Sequence, residues 1–229
     1  MRVSFLIPVY NEAATVEHVL ARLLELDVPK QIVIVDDGST DGTSEIVDAW
    51  AEGRDDVVVV HKKNGGKGTA VIAGLPHLDG EVTVIQDGDL EYDVDDIPAL
   101  LDPLRRGVAD MVYGSRFSGG KPQRVHRFWH SLGNKVMTLT ANVLYDTSLS
   151  DVGTGYKAIR TDLLRDIRLT EPNFAIDCEI TARVSLRRPS VYEVPIAYYG
   201  RTYAEGKKIH WRHGFEGLRS EEHTSELQS

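Results

Sequence analysis

Apolar residues fall into two alternating periods along this chain. Residues 2–8, 32–35, 57–60, 82–85 and 110–113 are short runs dominated by Val, Ile, Leu and Phe, each closed by polar or glycine-rich residues. Runs of this length read as strands, and the unbroken Ile32-Val33-Ile34-Val35 is the pattern of a sheet covered on both faces. Between the strands, apolar residues return at helical spacing: Val16, Val19, Leu20, Leu23 and Leu24, then Ile46, Val47 and Trp50. Further helices are expected over about 69–78 and, interrupted by proline, over 97–104. Asn11 is a candidate N-cap for the first helix, and Pro29 lies past its end. In the second half, 128–145 reads as a helix with Leu132, Val136, Leu139 and Val143 on one stripe. Short helices follow at about 162–167 and 177–186, and a late strand at 191–196.

Regular alternation of strand and helix with short connections predicts a doubly wound α/β fold with right-handed crossovers. The expected architecture is a single domain over 1–218: a mostly parallel central sheet flanked by helices. No repeat or flexible linker divides it. Open sheets of this kind bind ligands beyond the carboxyl ends of their strands. Four polar clusters stand at such ends: Pro8 to Glu12, Asp36 to Asp41, Asp87 to Glu91, and Gly114-Ser115-Arg116.

The stretch Val84-Ile85-Gln86-Asp87-Gly88-Asp89-Leu90-Glu91 carries the sharpest chemistry. A buried strand that ends in clustered carboxylates needs a compensating partner, because an unpaired buried carboxylate costs several kcal/mol. Asp87 and Asp89 are therefore candidate ligands of a hard divalent cation that would hold a phosphorylated substrate. The plainer alternative is a polar strand-to-loop transition. The loop Asn64-Gly65-Gly66-Lys67-Gly68 places Lys67 where it would face a diphosphate. Three other readings fail. In a Walker A loop Gly68 would be Ser or Thr and His61 would be Gly; a dinucleotide fingerprint needs a different glycine spacing; an EF-hand needs Gly at Tyr92.

Composition removes several classes. With a formal charge of −9 and no basic run, nucleic-acid binding is not expected. The single Cys178 excludes an intrachain disulfide and a cysteine-based zinc site. No run of about 18 apolar residues exists, so no membrane span is expected, and no signal peptide is expected at the N-terminus. Residues 219–229, RSEEHTSELQS, look like the in-frame translation of a sequencing-library adapter. They are set aside, and the natural chain is expected to continue past Leu218.

The ordered set of motifs resembles family 2 glycosyltransferases of the GT-A (Rossmann-like) fold. It comprises Pro8-Val9-Tyr10-Asn11-Glu12, Val35-Asp36-Asp37-Gly38-Ser39-Thr40-Asp41, the glycine loop, Gln86-Asp87-Gly88-Asp89-Leu90-Glu91 and Gly114-Ser115-Arg116. Within that family the chain is similar to polyprenyl- or dolichyl-phosphate hexosyltransferases. Arg127, His130-Ser131-Leu132-Gly133-Asn134, Asp151, Tyr156-Lys157, Glu193-Val194-Pro195-Ile196 and Arg201 with Glu205 to Ile209 carry that likeness, although Gly155 stands where such proteins usually have Cys.

The resemblance implies a nucleotide-sugar half over 1–115 and an acceptor half over 116–218. Pro8, Tyr10, Glu12, Val35 and Asp37 would line the nucleotide pocket, with Lys67, Gly88 and Lys207 near the donor phosphates. Asp87, Asp89 and a possible third ligand, Glu91, would hold Mg²⁺ or Mn²⁺. Arg116, Arg127, Ser131 and Arg201 would surround an acceptor phosphate, since guanidinium groups match phosphate oxygens in pairs. The expected reaction moves a hexose from a GDP-mannose- or UDP-glucose-type donor to a polyprenyl phosphate, catalysed through Asp89, Arg116, Arg127 and Arg201. The expected location is the cytoplasmic membrane face, without a transmembrane segment. If the acceptor were a sugar hydroxyl a general base would be needed, and Asp177 and Glu179 are the candidates. A binding module without turnover is the remaining alternative.

Overall fold

The computed structural model describes residues 1–125 and 128–201. The expectations placed on Arg127, Lys207 and residues 219–229 lie outside the described residues. In chain order the strands are β1 (Val3–Val9), β2 (Lys30–Asp36), β3 (Val57–His61), β4 (Val82–Ile85), β5 (Met111–Ser115), β6 (Lys157–Arg160) and β7 (Val191–Pro195). The helices are α1 (Val16–Glu25), α2 (Thr43–Ala51), α3 (Lys67–Gly74), α4 (Ile97–Arg105), α5 (Phe128–Tyr145), α6 (Thr161–Asp166) and α7 (Ile176–Ser185).

All seven strands form one sheet in the order β3-β2-β1-β4-β6-β5-β7. Six run parallel, in registers such as Val9 opposite Asp36 and Leu6 opposite Ile85. The seventh, β6, runs against them between β4 and β5, with Lys157 opposite both Ile85 and Tyr113. Sequence reading expected no strand there. Lys157-Ala158-Ile159-Arg160 offers only two apolar residues, and Lys157 is fully buried against a partner distant in sequence.

Each parallel strand feeds side chains alternately to two cores. Phe5 and Ile7 of β1 join α1 and α4 on one face. Leu6 enters the other with α3, α7 and the inner side of α5. Because six strands share a direction, the ends of β1, β2, β3, β4 and β5 meet on one rim. The four expected polar clusters lie along it.

Helix α5 forms where expected. Its apolar stripe faces outward: Phe128, Leu139 and Val143 are 69%, 65% and 74% exposed. Met137, Thr138 and Ala141 face the core instead. The reason is a polar stripe at four-residue spacing. Asn134 donates to Asp151 (3.1 Å), Thr138 accepts from the Val152 amide (3.3 Å), and Asn142 donates to the Leu149 carbonyl (2.8 Å). The connection at 149–152 needs hydrogen-bond partners as it passes under the helix, and these three side chains supply them.

Candidate active site

The rim begins at Asn11, which does not cap α1. It adopts a left-handed conformation (φ 49°), and α1 starts later, at Val16. Its amide donates to Ser39 Oγ (2.9 Å) and its Oδ1 accepts from the Thr40 amide (2.8 Å). The β1 loop is thereby fastened to the β2 loop. Pro8 and Tyr10 reach the rim, Tyr10 being exposed. Val35 does not: its side chain, expected beside the nucleotide, lies wholly within the core.

The adjacent acids Asp36 and Asp37 do different work. Asp36 is an anchor: it accepts from the Ser39 amide (3.0 Å), Ser44 Oγ (2.6 Å) and His61. Burial opposes its charge, yet these bonds hold it below the ordinary carboxylate range. Asp37 grips the glycine loop, accepting from the amides of Gly65 (3.0 Å) and Gly66 (2.8 Å) and pairing with Lys62. Lys62 was not singled out from sequence. Its place one residue past β3, on the same rim, was the available signal.

The glycines of this loop answer to a neighbour. A Cβ on Gly68 would stand 1.9 Å from the Glu171 carbonyl oxygen, and Gly66, at φ 96°, lies against Pro172. The neighbouring connection is in turn held by Glu179, which accepts from the amides of Thr170 and Glu171 (2.8 Å each) and from Arg183 (2.9 Å). Glu179 is thus committed to the scaffold and is not placed as a general base.

Past β4 the carboxylates gather. Arg201 forks onto Glu12 (2.9 and 3.0 Å) and also donates to Asp89 Oδ2 (2.7 Å). Lys67 sits between Asp87 (2.9 Å) and Asp177 (3.1 Å). Burial disfavours charge on Lys67, but Asp177 and Asp87 outweigh it and raise its pKa. Burial, with the charges of Asp87 and Glu91, pushes Asp89 up to about 7 against the pull of Arg201. Negative charge is therefore in surplus here. Arg201 lies among Glu12, Asp89 and Glu91, whereas the sequence expectation placed it at an acceptor phosphate.

Glu91 is turned aside. One oxygen accepts from Tyr198 Oη (2.8 Å), the other from the Arg201 amide (2.6 Å). The structure does not align it with Asp87 and Asp89 as a third metal ligand. Among the described residues no group of three or more Asp, Glu, His or Cys is set to hold a metal ion. Gly88 earns its place sterically, since a Cβ would stand 2.6 Å from Val9. Gly155 likewise leaves room beside Lys67 and Asp87, 2.9 and 3.1 Å from where its Cβ would be.

On the far side of β6, Arg116 is held by Asp151 through Nε (2.7 Å) and Nη2 (2.8 Å), with Asn134 of α5 as a third partner of that carboxylate. Asp151 is fully buried, and Arg116 lies over the Tyr198 ring at 5.2 Å. Ser131, half-buried, precedes Asn134 by about one helical turn. Tyr92, Tyr156 and Tyr198 pack together between the two groups of charges, with ring centres 5.0 and 5.5 Å apart.

A mostly parallel sheet with surplus carboxylates at the end of one central strand and a held arginine at the end of another defines an α/β protein with two unlike charge clusters on one rim. The particular family follows from residues 4–168, which match the model for glycosyl transferase family 2. The chain belongs to that family. Its relatives include the glycosyltransferase AglJ of Haloferax volcanii, 31% identical over 87% of this chain and 63% of the relative. An undecaprenyl-phosphate mannosyltransferase of Micrococcus luteus is 31% identical over 90% of this chain and 87% of its own. The chain thus spans under two thirds of the first relative and most of the second. Among solved structures, the glucosyl-3-phosphoglycerate synthase of Mycobacterium tuberculosis, in complex with Mn²⁺, UDP-glucose and phosphoglyceric acid, superposes with a TM-score of 0.71. It covers 98% of this chain and 80% of that one at 20% identity. The GT-A architecture expected from sequence is the one the chain adopts.

Proposed function

We propose that this chain is a metal-dependent, inverting glycosyltransferase that moves a hexose from a nucleoside-diphosphate sugar to a polyprenyl phosphate at a membrane surface. The observation that carries this reading is the charge surplus around Asp89. Glu12, Asp87, Asp89 and Glu91 outnumber Lys67 and Arg201, and Asp89 is pushed up to about 7 as a result. Buried Arg201 Nε and Asp177 Oδ1 also lack hydrogen-bond partners among the described residues. This donor set of hard carboxylate oxygens fits Mg²⁺ or Mn²⁺. Asp87 and Asp89 would hold the cation, which would supply neutralisation of the departing nucleoside diphosphate.

The remaining work falls to the chain's own groups. Pro8, Tyr10 and Asp37 border the space for the nucleotide, and Lys67 carries a fixed positive charge towards its phosphates. Arg116, pre-set by Asp151, meets the acceptor phosphate without losing time to reorientation. A phosphate oxygen is already anionic, so its attack on the anomeric carbon from the face opposite the leaving group needs no proton removed. The candidate bases favour this acceptor over a hydroxyl. Burial would raise Asp177, but Lys67 and Lys157 hold its pKa low, which makes it a weak base at neutral pH.

The test incubates labelled UDP- and GDP-sugars with Mn²⁺ and either polyprenyl phosphate or a glycan acceptor. Transfer to the lipid phosphate that is lost in Asp89→Ala and weakened in Arg116→Lys is expected. Transfer only to the glycan, or donor binding without transfer to either, would sink the proposal.

A further inference from the structure

Four ionisable side chains alternate in sign along a chain of contacts that runs inward from the rim. Asp87, at the end of β4, has its Oδ1 2.9 Å from Nζ of Lys67, the first residue of α3. The same ammonium donates to Oδ2 of Asp177, in the first turn of α7, at 3.1 Å. The other oxygen, Asp177 Oδ1, receives no hydrogen bond among the described residues and faces Lys157 Nζ at 3.6 Å. Side-chain exposure falls from 25% at Asp87 to 9% at Lys67 and Asp177 and 0% at Lys157, so the Asp87 end is the one open to a ligand.

Lys157 is the member that the reaction leaves unused. It opens β6 opposite both Ile85 and Tyr113. Its ammonium lies 5.4 Å from the centre of the Tyr113 ring and donates to the Thr154 carbonyl. Stability does not call for it. Burial lowers its pKa, the mark of a charge held at a cost, and Asp177 is the largest pull in the other direction. Apolar groups of similar volume in place of a buried ion pair are often neutral or stabilising.

Charge balance gives Lys157 a use. Asp87 and Asp177 compete for one ammonium, that of Lys67. With Lys157 behind it, Asp177 is already partly neutralised. Without Lys157 the two carboxylates would share Lys67 alone. Asp177, the less solvated of the two, would then draw it inward, because attraction strengthens where water is scarce. We propose, on the nucleoside-diphosphate donor reading above, that Lys157 is a positioning residue: by neutralising Asp177 from behind, it keeps the Lys67 ammonium beside Asp87 and available to the donor phosphates. Its bond to the Thr154 carbonyl acts in the same sense, since the next residue, Gly155, lies against Lys67 and Asp87.

The experiment is a double-mutant cycle on the full chain. Wild type, Lys157→Met, Asp177→Asn and the pair are compared for binding of UDP and of GDP with Mn²⁺ by calorimetry. The separation of Lys67 and Asp87 is measured in crystals of each free protein. Lys157→Met keeps the volume and removes the charge. It is expected to weaken nucleotide binding roughly tenfold and to draw Lys67 away from Asp87. In the Asp177→Asn background the same substitution is expected to change affinity by less than about twofold, because the carboxylate it serves is gone. A loss of equal size in both backgrounds makes Lys157 a packing residue and overturns the proposal, as does wild-type affinity in Lys157→Met. Should Lys157→Met alone fail to fold, the two proteins that carry Asp177→Asn decide: equal affinities support the proposal, and a difference of about tenfold between them overturns it. Wild type that binds neither nucleotide overturns the donor reading. In that case Lys67 displaced in Lys157→Met and returned to Asp87 in the pair supports the positioning role, and an unmoved Lys67 overturns it.

Discussion

Two groups of charges stand on the same rim and are built on opposite principles. Around Asp151 the account closes: one buried carboxylate meets one guanidinium in a two-pronged bond, with Asn134 completing it. Around Asp89 it does not close, because four carboxylates share two strong cations and one of them is driven up to about 7. Nothing in the fold requires that surplus. The difference teaches how to tell a positioned group from a place kept for a ligand: the first is matched within the chain, the second is left in debt to something outside it.

The sharpest way to break this contrast is to remove one acid from each side. Asp89→Ala is expected to cut transfer by at least about a hundredfold while keeping or raising the melting temperature of the cation-free protein. The sign follows from its pKa. A carboxyl raised from 3.8 to about 7 loses stability for the fold as pH rises through that interval, and the substitution removes the loss. Asp151→Ala does the reverse in stability. It strands Arg116, largely buried, and is expected to cost about 3 kcal/mol or more, read as a lower urea midpoint together with weaker acceptor binding. Equal melting temperatures for the two variants would erase the distinction.

Proton competition gives a finer reading. Since Asp89 must be deprotonated to take a cation, Mn²⁺ affinity is expected to fall by about tenfold per pH unit below 7, and to flatten in Asp89→Asn; calorimetry in buffers of different ionisation enthalpy measures the proton released. A glycine tests the scaffold beneath. Gly68→Ala would drive a methyl into the Glu171 carbonyl and is expected to cost about 1–3 kcal/mol, visible in urea unfolding. The smallest effect on catalysis is expected from Glu179→Gln. It loosens the 170–171 connection by roughly 1–2 kcal/mol yet leaves kcat within a few fold; a loss as deep as that of Asp89→Ala would reinstate Glu179 as a base.

Much of this was legible in the sequence because the signals were local. Continuous apolar runs give β1, β2 and β4 their two-sided burial, and a shared strand direction follows from the helices between them, which puts Tyr10, Asp37, Asp87 and Arg116 on one rim. What escaped depends on partners far along the chain. Lys157 reads as a surface residue until Asp177 and the Tyr113 ring surround it, and with it β6 was hidden. Glu91 and Arg201 are 110 residues apart, so the carboxylate that looked like a third ligand could not be seen to belong to Tyr198 and Arg201. The period of α5 was legible, whereas the side it turns inward was not, because that is decided by the contacts of Asn134, Thr138 and Asn142 with the 149–152 connection.

The antiparallel strand β6 has a consequence for motion. It comes from the half that carries α5, yet it is hydrogen-bonded on both edges to strands of the other half, β4 and β5. The halves are laced through one another, with no seam along which they hinge. Opening and closing about a substrate by the swing of rigid lobes is therefore denied to this scaffold. Adaptation is left to the rim's loops, while the pairing of β6 with both β4 and β5 holds the strand ends behind Asp87 and Arg116 in one register.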